Sequence, residues 1–208
     1  MARICNDGMG AKTRFHVSIS LSLGTRALMA VSARGPVVIV LASGQGRRFV
    51  ASGGTGPKLQ AMLAGRTVLD RTLAAVRASG LAWHLVDAGH SGMGVSIAAG
   101  VRATADAPAW LILPGDLPLI RASTLQYIAA APAGLDIVVP FAQGQRGHPV
   151  RFSAACGDDL MKLSSGQGAL AVMAGRTVTC WAVDDAGINF DIDTLDDLRR
   201  AEQFLQTK

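Results

Sequence analysis

"PVVIVLASGQGRRFVASGGTGPKL", residues 36–59, sets a short apolar run directly before a loop that carries five glycines and three cations. The run, Val37 to Leu41, is β-branched up to its last residue, bounded by Pro and Gly, and too short for a helix. It reads as a buried strand. Neither of two well-known phosphate loops fits the residues after Leu41. A dinucleotide fingerprint needs a third glycine where this chain has Phe49, and a P-loop needs Gly-Lys-Ser/Thr where it has Gly56-Pro57-Lys58-Leu59. What remains is a loop whose backbone amides can approach an anion because glycine has no side chain to block them, supplemented by Arg47, Arg48 and Lys58.

Along the rest of the chain, short apolar runs alternate with segments of helical period. "TVLDRTLAAVRASG" reads as a helix stopped by Gly80, "AWHLVDA" as a strand, and "GVSIAAGVRATA" as a helix entered from a Gly-Met-Gly turn. "AWLILPGD" reads as a strand ending at Asp116, "RASTLQYIAAAP" as a helix and "LDIVVPF" as a strand. The last third is less regular: "QRGHPVRF" leads from a turn into an extended segment, two short helices and the strand "TVTCWAV" come next, and "DTLDDLRRAEQFL" is a terminal helix. Asp193 or Thr194 is its N-cap. The alternation predicts an α/β fold of three layers (α/β/α), Rossmann-like, with a mostly parallel sheet and helices on both faces. Ligands bind such sheets beyond the carboxyl ends of the strands, where both the glycine loop and Asp116 fall.

Composition narrows the class. The 208 residues fit one domain, half of them are hydrophobic, and only 17% are charged, below the usual quarter or so, which excludes a disordered chain. The net charge of +5 admits an anionic ligand, but the cations form no block and no aromatics are interleaved with them, so a nucleic-acid groove is not expected. No stretch has the length of a membrane span. Cys5, Cys156 and Cys180 are odd in number and far apart, the pattern of a reduced, cytoplasmic protein without structural zinc. Residues 1–34 mix basic and apolar residues, but Gly24 and Arg26 interrupt any signal-like core. They read as a poorly ordered extension, dispensable over residues 1–28 with Met29 a candidate true start, ahead of a domain over 35–208.

Five segments of the chain carry a family resemblance. "LASGQGRRF…KL" resembles the opening of the molybdenum cofactor nucleotidyltransferases, in the nucleotidyltransferase branch of the GT-A-like fold. "GMGVSIAAGV", "LPGDLPLI", "RGHPV" and "DIDTLDDL" resemble that family's later segments, in the same order. Where the family often shows Gly-Asp-x-Gly-Ala-Arg, this chain has Ser165-Gly166-Gln167-Gly168-Ala169-Leu170, without the carboxylate and the cation.

The resemblance implies attack by a phosphate oxygen of molybdopterin on the α-phosphorus of a nucleoside triphosphate, with pyrophosphate leaving. A phosphate monoester is largely dianionic at neutral pH, its second pKa being about 6, so no general base is required, and catalysis falls to cations and a metal. Arg47, Lys58 and Asp116 are the implied catalytic residues, with Mg²⁺ on Asp116 and Asp193. Leu41, Ala42, Ser43, Gly44, Gly46, Arg48, Lys58, Gly94 and Ser96 are implied for the nucleotide, Arg146 and His148 for the acceptor. For single residues a structural role stands beside each of these: a turn cap for Asp116, a helix cap for Asp193 or Ser96, a packed ring for His148. Within the family, Leu-Ala-Gly-Gly accompanies guanylyl transfer and Leu-Ala-Ala-Gly cytidylyl transfer. Leu41-Ala42-Ser43-Gly44 puts a Cβ at the third place, so CTP is expected. Other readings are the same chemistry on another phosphorylated acceptor, such as a sugar phosphate, or a non-catalytic carrier of the finished cofactor. A molybdoenzyme recipient is an implied partner.

Overall fold

The computed structural model describes residues 2–3, 35–44, 46–87 and 92–207. Apart from Ala2–Arg3, the extension expected over 1–34, with Cys5 and Met29, lies outside them.

Ala2–Arg3 form β1, and the run singled out in the sequence is β2 (Val37–Leu41). β2 lies second from one edge of the sheet. It leads into a short helix α1 (Arg47–Ala51), a 3-10 turn at Lys58–Gln60, and a small hairpin of β3 (Met62–Leu63) and β4 (Arg66–Thr67). Helix α2 (Val68–Ala78) returns the chain to β5 (Ala82–Val86), and α3 (Met93–Ala103) to β6 (Ala109–Pro114). Both strands flank β2 in parallel. Because the pleat has a two-residue period, Val37 and Ile39 enter one buried cluster while Val38 and Val40 enter another. The run is apolar throughout because both faces of the sheet are covered.

Beyond β6 come α4 (Ala122–Ala129), β7 (Ile137–Ala142), β8 (Gln145–Arg146), β9 (Val150–Ser153), α5 (Gly157–Met161), α6 (Ala169–Met173), β10 (Val178–Ala182) and α7 (Leu195–Gln206). The sheet order is β1-β10-β7-β9-β6-β2-β5, with β8 paired to β7. Helices α2 and α4 cover one face through Leu73, Val76, Leu125 and Ile128. Helices α3, α5 and α6 cover the other through Ile97, Val101, Leu160 and Val172. The three-layer expectation holds, with a mixed sheet. β9 runs antiparallel between β6 and β7. The cause is local: Gln143 and Gly144, both with positive φ, turn the chain straight back from β7 into β8, and so short a connection cannot make a parallel crossover.

A third cluster lies beside the sheet, where Phe49, Leu59, Leu63, Val68, Leu119, Ile192 and Ala201 join α1 and the small hairpin to the terminal helix. Phe49 is 1% exposed. Phe49→Ala is expected to cost about 3–5 kcal/mol through transfer and cavity terms, lowering Tm by roughly 6 to 20 °C at this chain length. Calorimetry on Phe49→Ala and the milder Phe49→Leu measures this, and a fall of under about 2 °C would show that the cluster unfolds separately from the sheet.

Candidate active site

The carboxyl ends of β2 and β6 open into a cleft of about 1030 Å³, walled by the glycine loop, the start of α3, the β8 segment and residues 188–193. Backbone bonds fix its frame. Gly115 N donates to Leu41 O (2.8 Å) and Ile192 N to Asp116 O (3.0 Å), so the ends of two strands and the segment before α7 are held together.

Gly46 is the N-cap of α1 with φ +59°, the left-handed region that glycine adopts without steric cost. Its open Cα face also admits Lys58: a Cβ at 46 would stand 3.3 Å from Lys58 Cβ and N. Lys58 thereby reaches the cleft, and its Nζ donates to Asp116 Oδ2 (2.6 Å) and Asp193 Oδ1 (2.8 Å). Its side chain is 12% exposed and those of the two acids 16% and 17%, so this is a shielded three-centre ion cluster. Burial alone would lower the lysine's pKa. Asp116, then Asp193, outweighs that, and the net direction is upward. The far oxygen of Asp193 takes Arg48 Nη1 at 2.8 Å from an exposed side chain. Asp191, also on the wall, has its carboxyl pushed up, first by burial and then by the negative charges of Asp193 and Asp116.

Of the two N-cap candidates, Thr194 takes the role. Its Oγ1 accepts from Asp197 N while Asp197 returns the contact to the Thr194 N–H, a reciprocal capping box. The Asp193 carboxylate is thus free of cap duty and turned to Lys58. Asp116 Oδ1 is buried and has no hydrogen-bond partner. An orphaned carboxylate oxygen beside a second carboxylate suits a hard divalent cation, which takes one or two protein carboxylates and fills its remaining positions with water and phosphate oxygens. No group of three or more His, Cys, Asp or Glu among the described residues forms a complete protein cage for a metal.

Leu41, Ser43, Gly44, Gly46, Arg47 and Arg48 border the cleft on one side, Arg146 and His148 on the other. The His148 ring is buried, its Nδ1 lacks a partner, and burial pushes its pKa below the usual histidine value, leaving it neutral at pH 7. Two residues expected at the nucleotide, Ala42 and Gly94, do not border the cleft. Ala42 turns away and packs against the Phe49 cluster. Gly94 is buried under the 164–167 loop, where a Cβ would overlap the Ser164 carbonyl oxygen, so the glycine serves helix-to-loop packing. Ser96 is among the residues that line the cleft, though with no exposed surface of its own, and it lies in the first turn of α3, not in a turn before the helix and not as its cap. Its Oγ instead meets Ser43 Oγ at 2.6 Å. Gly53, Gly54 and Gly56 do not border the cleft; a Cβ on Gly54 would overlap the Phe49 ring. Gly92, Met93, Gln145, Asn189 and Asp191 line it, although the sequence singles out none of them for the nucleotide or acceptor. Asp191 alone carries a signal, as an acid two residues before Asp193.

Residues 78–180, which include Asp116, Arg146 and His148, match the family model of the MobA-like NTP transferase domain. Over that stretch the chain carries a MobA-like NTP transferase domain. Solved structures agree with the fold. Rv0371c from Mycobacterium tuberculosis H37Rv superposes with a TM-score of 0.70 at 23% identity, over 83% of this chain and 100% of that one, and has also been solved as a complex with manganese. Its homologue from Mycobacterium sp. strain JC1 gives 0.66 at 27% identity, over 85% and 100%. Molybdopterin-guanine dinucleotide biosynthesis protein A from Archaeoglobus fulgidus gives 0.62 at 20% identity, over 83% and 100%. No curated protein sequence matches the chain. Among the described residues, no helix of this MobA-like domain is long and apolar enough to cross a membrane.

Proposed function

We propose that this nucleotidyltransferase moves CMP from CTP to the terminal phosphate of molybdopterin and releases pyrophosphate. The observation that carries the choice of nucleotide is Ser43: a side chain stands on the cleft wall where a glycine would leave room for a purine, and its contact with Ser96 holds it in place. The cleft volume of about 1030 Å³ accommodates a nucleotide and a second phosphorylated ligand together.

The roles follow from placement. Arg47, Arg48 and Lys58 bind the triphosphate on the side of the glycine loop; Arg146 and neutral His148 face the acceptor. An acceptor phosphate oxygen attacks the α-phosphorus, the bond from that phosphorus to the bridging α–β oxygen breaks, and the electron pair leaves with pyrophosphate. No proton has to be removed from the nucleophile, which agrees with a wall whose buried histidine is neutral but bonded to no carboxylate partner among the described contacts. Asp116 and Asp193 would hold Mg²⁺, which supplies charge neutralisation across the triphosphate. The manganese complex of Rv0371c supports a divalent metal in this fold.

The test is pyrophosphate release from each of the four nucleoside triphosphates, with molybdopterin, with sugar phosphates and with no acceptor. CTP with molybdopterin is expected to turn over. Preference for GTP would sink the cytidylyl assignment, and turnover only with another phosphate would move the acceptor. Ser43→Gly is expected to gain roughly tenfold or more in GTP use relative to CTP, the size of a relieved steric clash; an unchanged ratio would leave CTP in place and remove Ser43 as the cause.

A further inference from the structure

Ser96 Oγ lies 2.6 Å from Ser43 Oγ and 3.1 Å from Gly92 O, and the residue has no exposed surface. A serine hydroxyl has one proton and two acceptor lone pairs, while a carbonyl oxygen only accepts. If Ser96 gave its proton to Ser43, its lone pairs would face the Gly92 carbonyl at 3.1 Å, oxygen against oxygen. The arrangement without that repulsion runs in one direction: Ser43 donates to Ser96, and Ser96 donates to Gly92 O, each bond polarising the next. Ser43 has then spent its only proton toward the protein interior. Its oxygen borders the cleft, where it offers lone pairs alone.

We propose that the Ser43–Ser96 hydroxyl pair, by presenting Ser43 Oγ to the cleft as an acceptor only, selects a pyrimidine that carries a 4-amino group over one that carries a 4-oxo group, with Ser96 the positioning residue. A cytosine amino hydrogen gains a hydrogen bond at this wall, whereas a uracil carbonyl oxygen meets another lone pair. Phosphate oxygens meet the same repulsion, which reserves Ser43 for the base. The inference rests on the reading that Ser43 borders the base, and it goes further by giving Ser96, whose hydroxyl is engaged by Ser43 and Gly92 O, control over base choice.

The experiment is calorimetric titration of CTP and UTP, with Mg²⁺ and no acceptor, into the wild type, Ser43→Ala, Ser96→Ala and the double variant. The wild type is expected to bind CTP about tenfold to a hundredfold more tightly than UTP, the worth of one gained bond and one avoided repulsion. Ser96→Ala leaves the Ser43 proton free to turn to the cleft, so UTP affinity should rise while CTP affinity falls. A purely structural loss would weaken both. Ser43→Ala should bring the two ligands within about threefold, and the double variant should match it, since the two hydroxyls act as one unit. Should Ser96→Ala melt early, the cytidine triphosphate analogue lacking the 4-amino group, titrated into the wild type, reads the same contact. Having neither the bond nor the repulsion, it should bind more weakly than CTP but more tightly than UTP; binding equal to CTP would overturn the inference. Equal affinity of the wild type for CTP and UTP, or a wild-type ratio retained in Ser96→Ala, overturns the inference and leaves the pyrimidine site standing. Binding of neither pyrimidine overturns the CTP reading with it.

Discussion

Asp116→Asn is expected to lower kcat by roughly a thousandfold or more while shifting the melting temperature only slightly. Removing one preorganised charge from a phosphoryl-transfer site costs on the order of two to three decades, and more where that charge also holds a metal. The substitution keeps the shape of the side chain at the end of β6, so the Gly115 N to Leu41 O and Ile192 N to Asp116 O bonds that frame the cleft persist. What changes is charge. An amide can still turn its oxygen to Lys58, but then its NH₂ takes the place of Oδ1, the buried atom that has no protein partner. A donor there repels a cation. Turnover at saturating concentrations of the two proposed substrates, with a melting curve beside it, decides the matter. A kcat within a factor of about three of wild type would remove Asp116 from the site.

Lys58→Met is the second large effect, and its two readouts move in opposite directions. Activity should fall by about two to three decades, since the cation proposed to meet the triphosphate is lost. Affinity for Mn²⁺ without nucleotide should rise, because the ammonium lies between the two carboxylates at 2.6 and 2.8 Å. In the wild type a metal entering alone must displace that ammonium, whereas a metal arriving with a triphosphate brings oxygens that can receive it. Titration of Mn²⁺ followed by electron paramagnetic resonance measures the affinity, and unchanged or weaker binding in Lys58→Met would refute the competition. Lys58→Arg should not restore activity. The planar guanidinium is larger than a point-like ammonium, and Gly46 packs so closely on the Lys58 stem that even a Cβ there would stand 3.3 Å from it.

The sheet is legible in the sequence because its strands are buried on both faces: an apolar run such as Val37–Leu41 has few alternatives once Pro and Gly bound it. The direction of β9 is not legible, since hydrophobicity is the same for either orientation, and only the positive φ at Gln143 and Gly144 marks the tight return. Helix α1 is hidden for a different reason. Five residues are too few to show a period, and the glycines around them read as an open loop, although Gly53, Gly54 and Gly56 shape turns away from the cleft. At the site, the charged residues are visible as types in a motif order. Their mutual arrangement is not: the motifs assign Lys58 to phosphate and the two acids to metal, and the structure draws all three into one cluster. Gly-Met-Gly usually makes a turn and so suggests one around Ser96, yet the helix begins at Met93 and carries the hydroxyl into the interior. No spacing in the sequence marks its contact with Ser43, which joins positions 53 residues apart.

Lys58 finds one of its acids 58 residues further along the chain and the other 135 residues further. On the ribosome, therefore, the glycine loop, β2 and β6 are all synthesised while residues 191–206 have yet to appear. During that interval Lys58 has a single carboxylate to face, and Phe49, Leu59 and Leu63 lack Ile192 and Ala201, which later close their cluster. The nascent chain carries most of its sheet, all but β10, well before it carries a finished cleft. Closing contacts that distant in sequence is slow relative to local helix formation, and the apolar cluster beside the sheet stays open to other surfaces until α7 docks. The emergence of α7, last in the order of translation among the described elements, is what both covers that cluster and delivers Asp193 to its lysine.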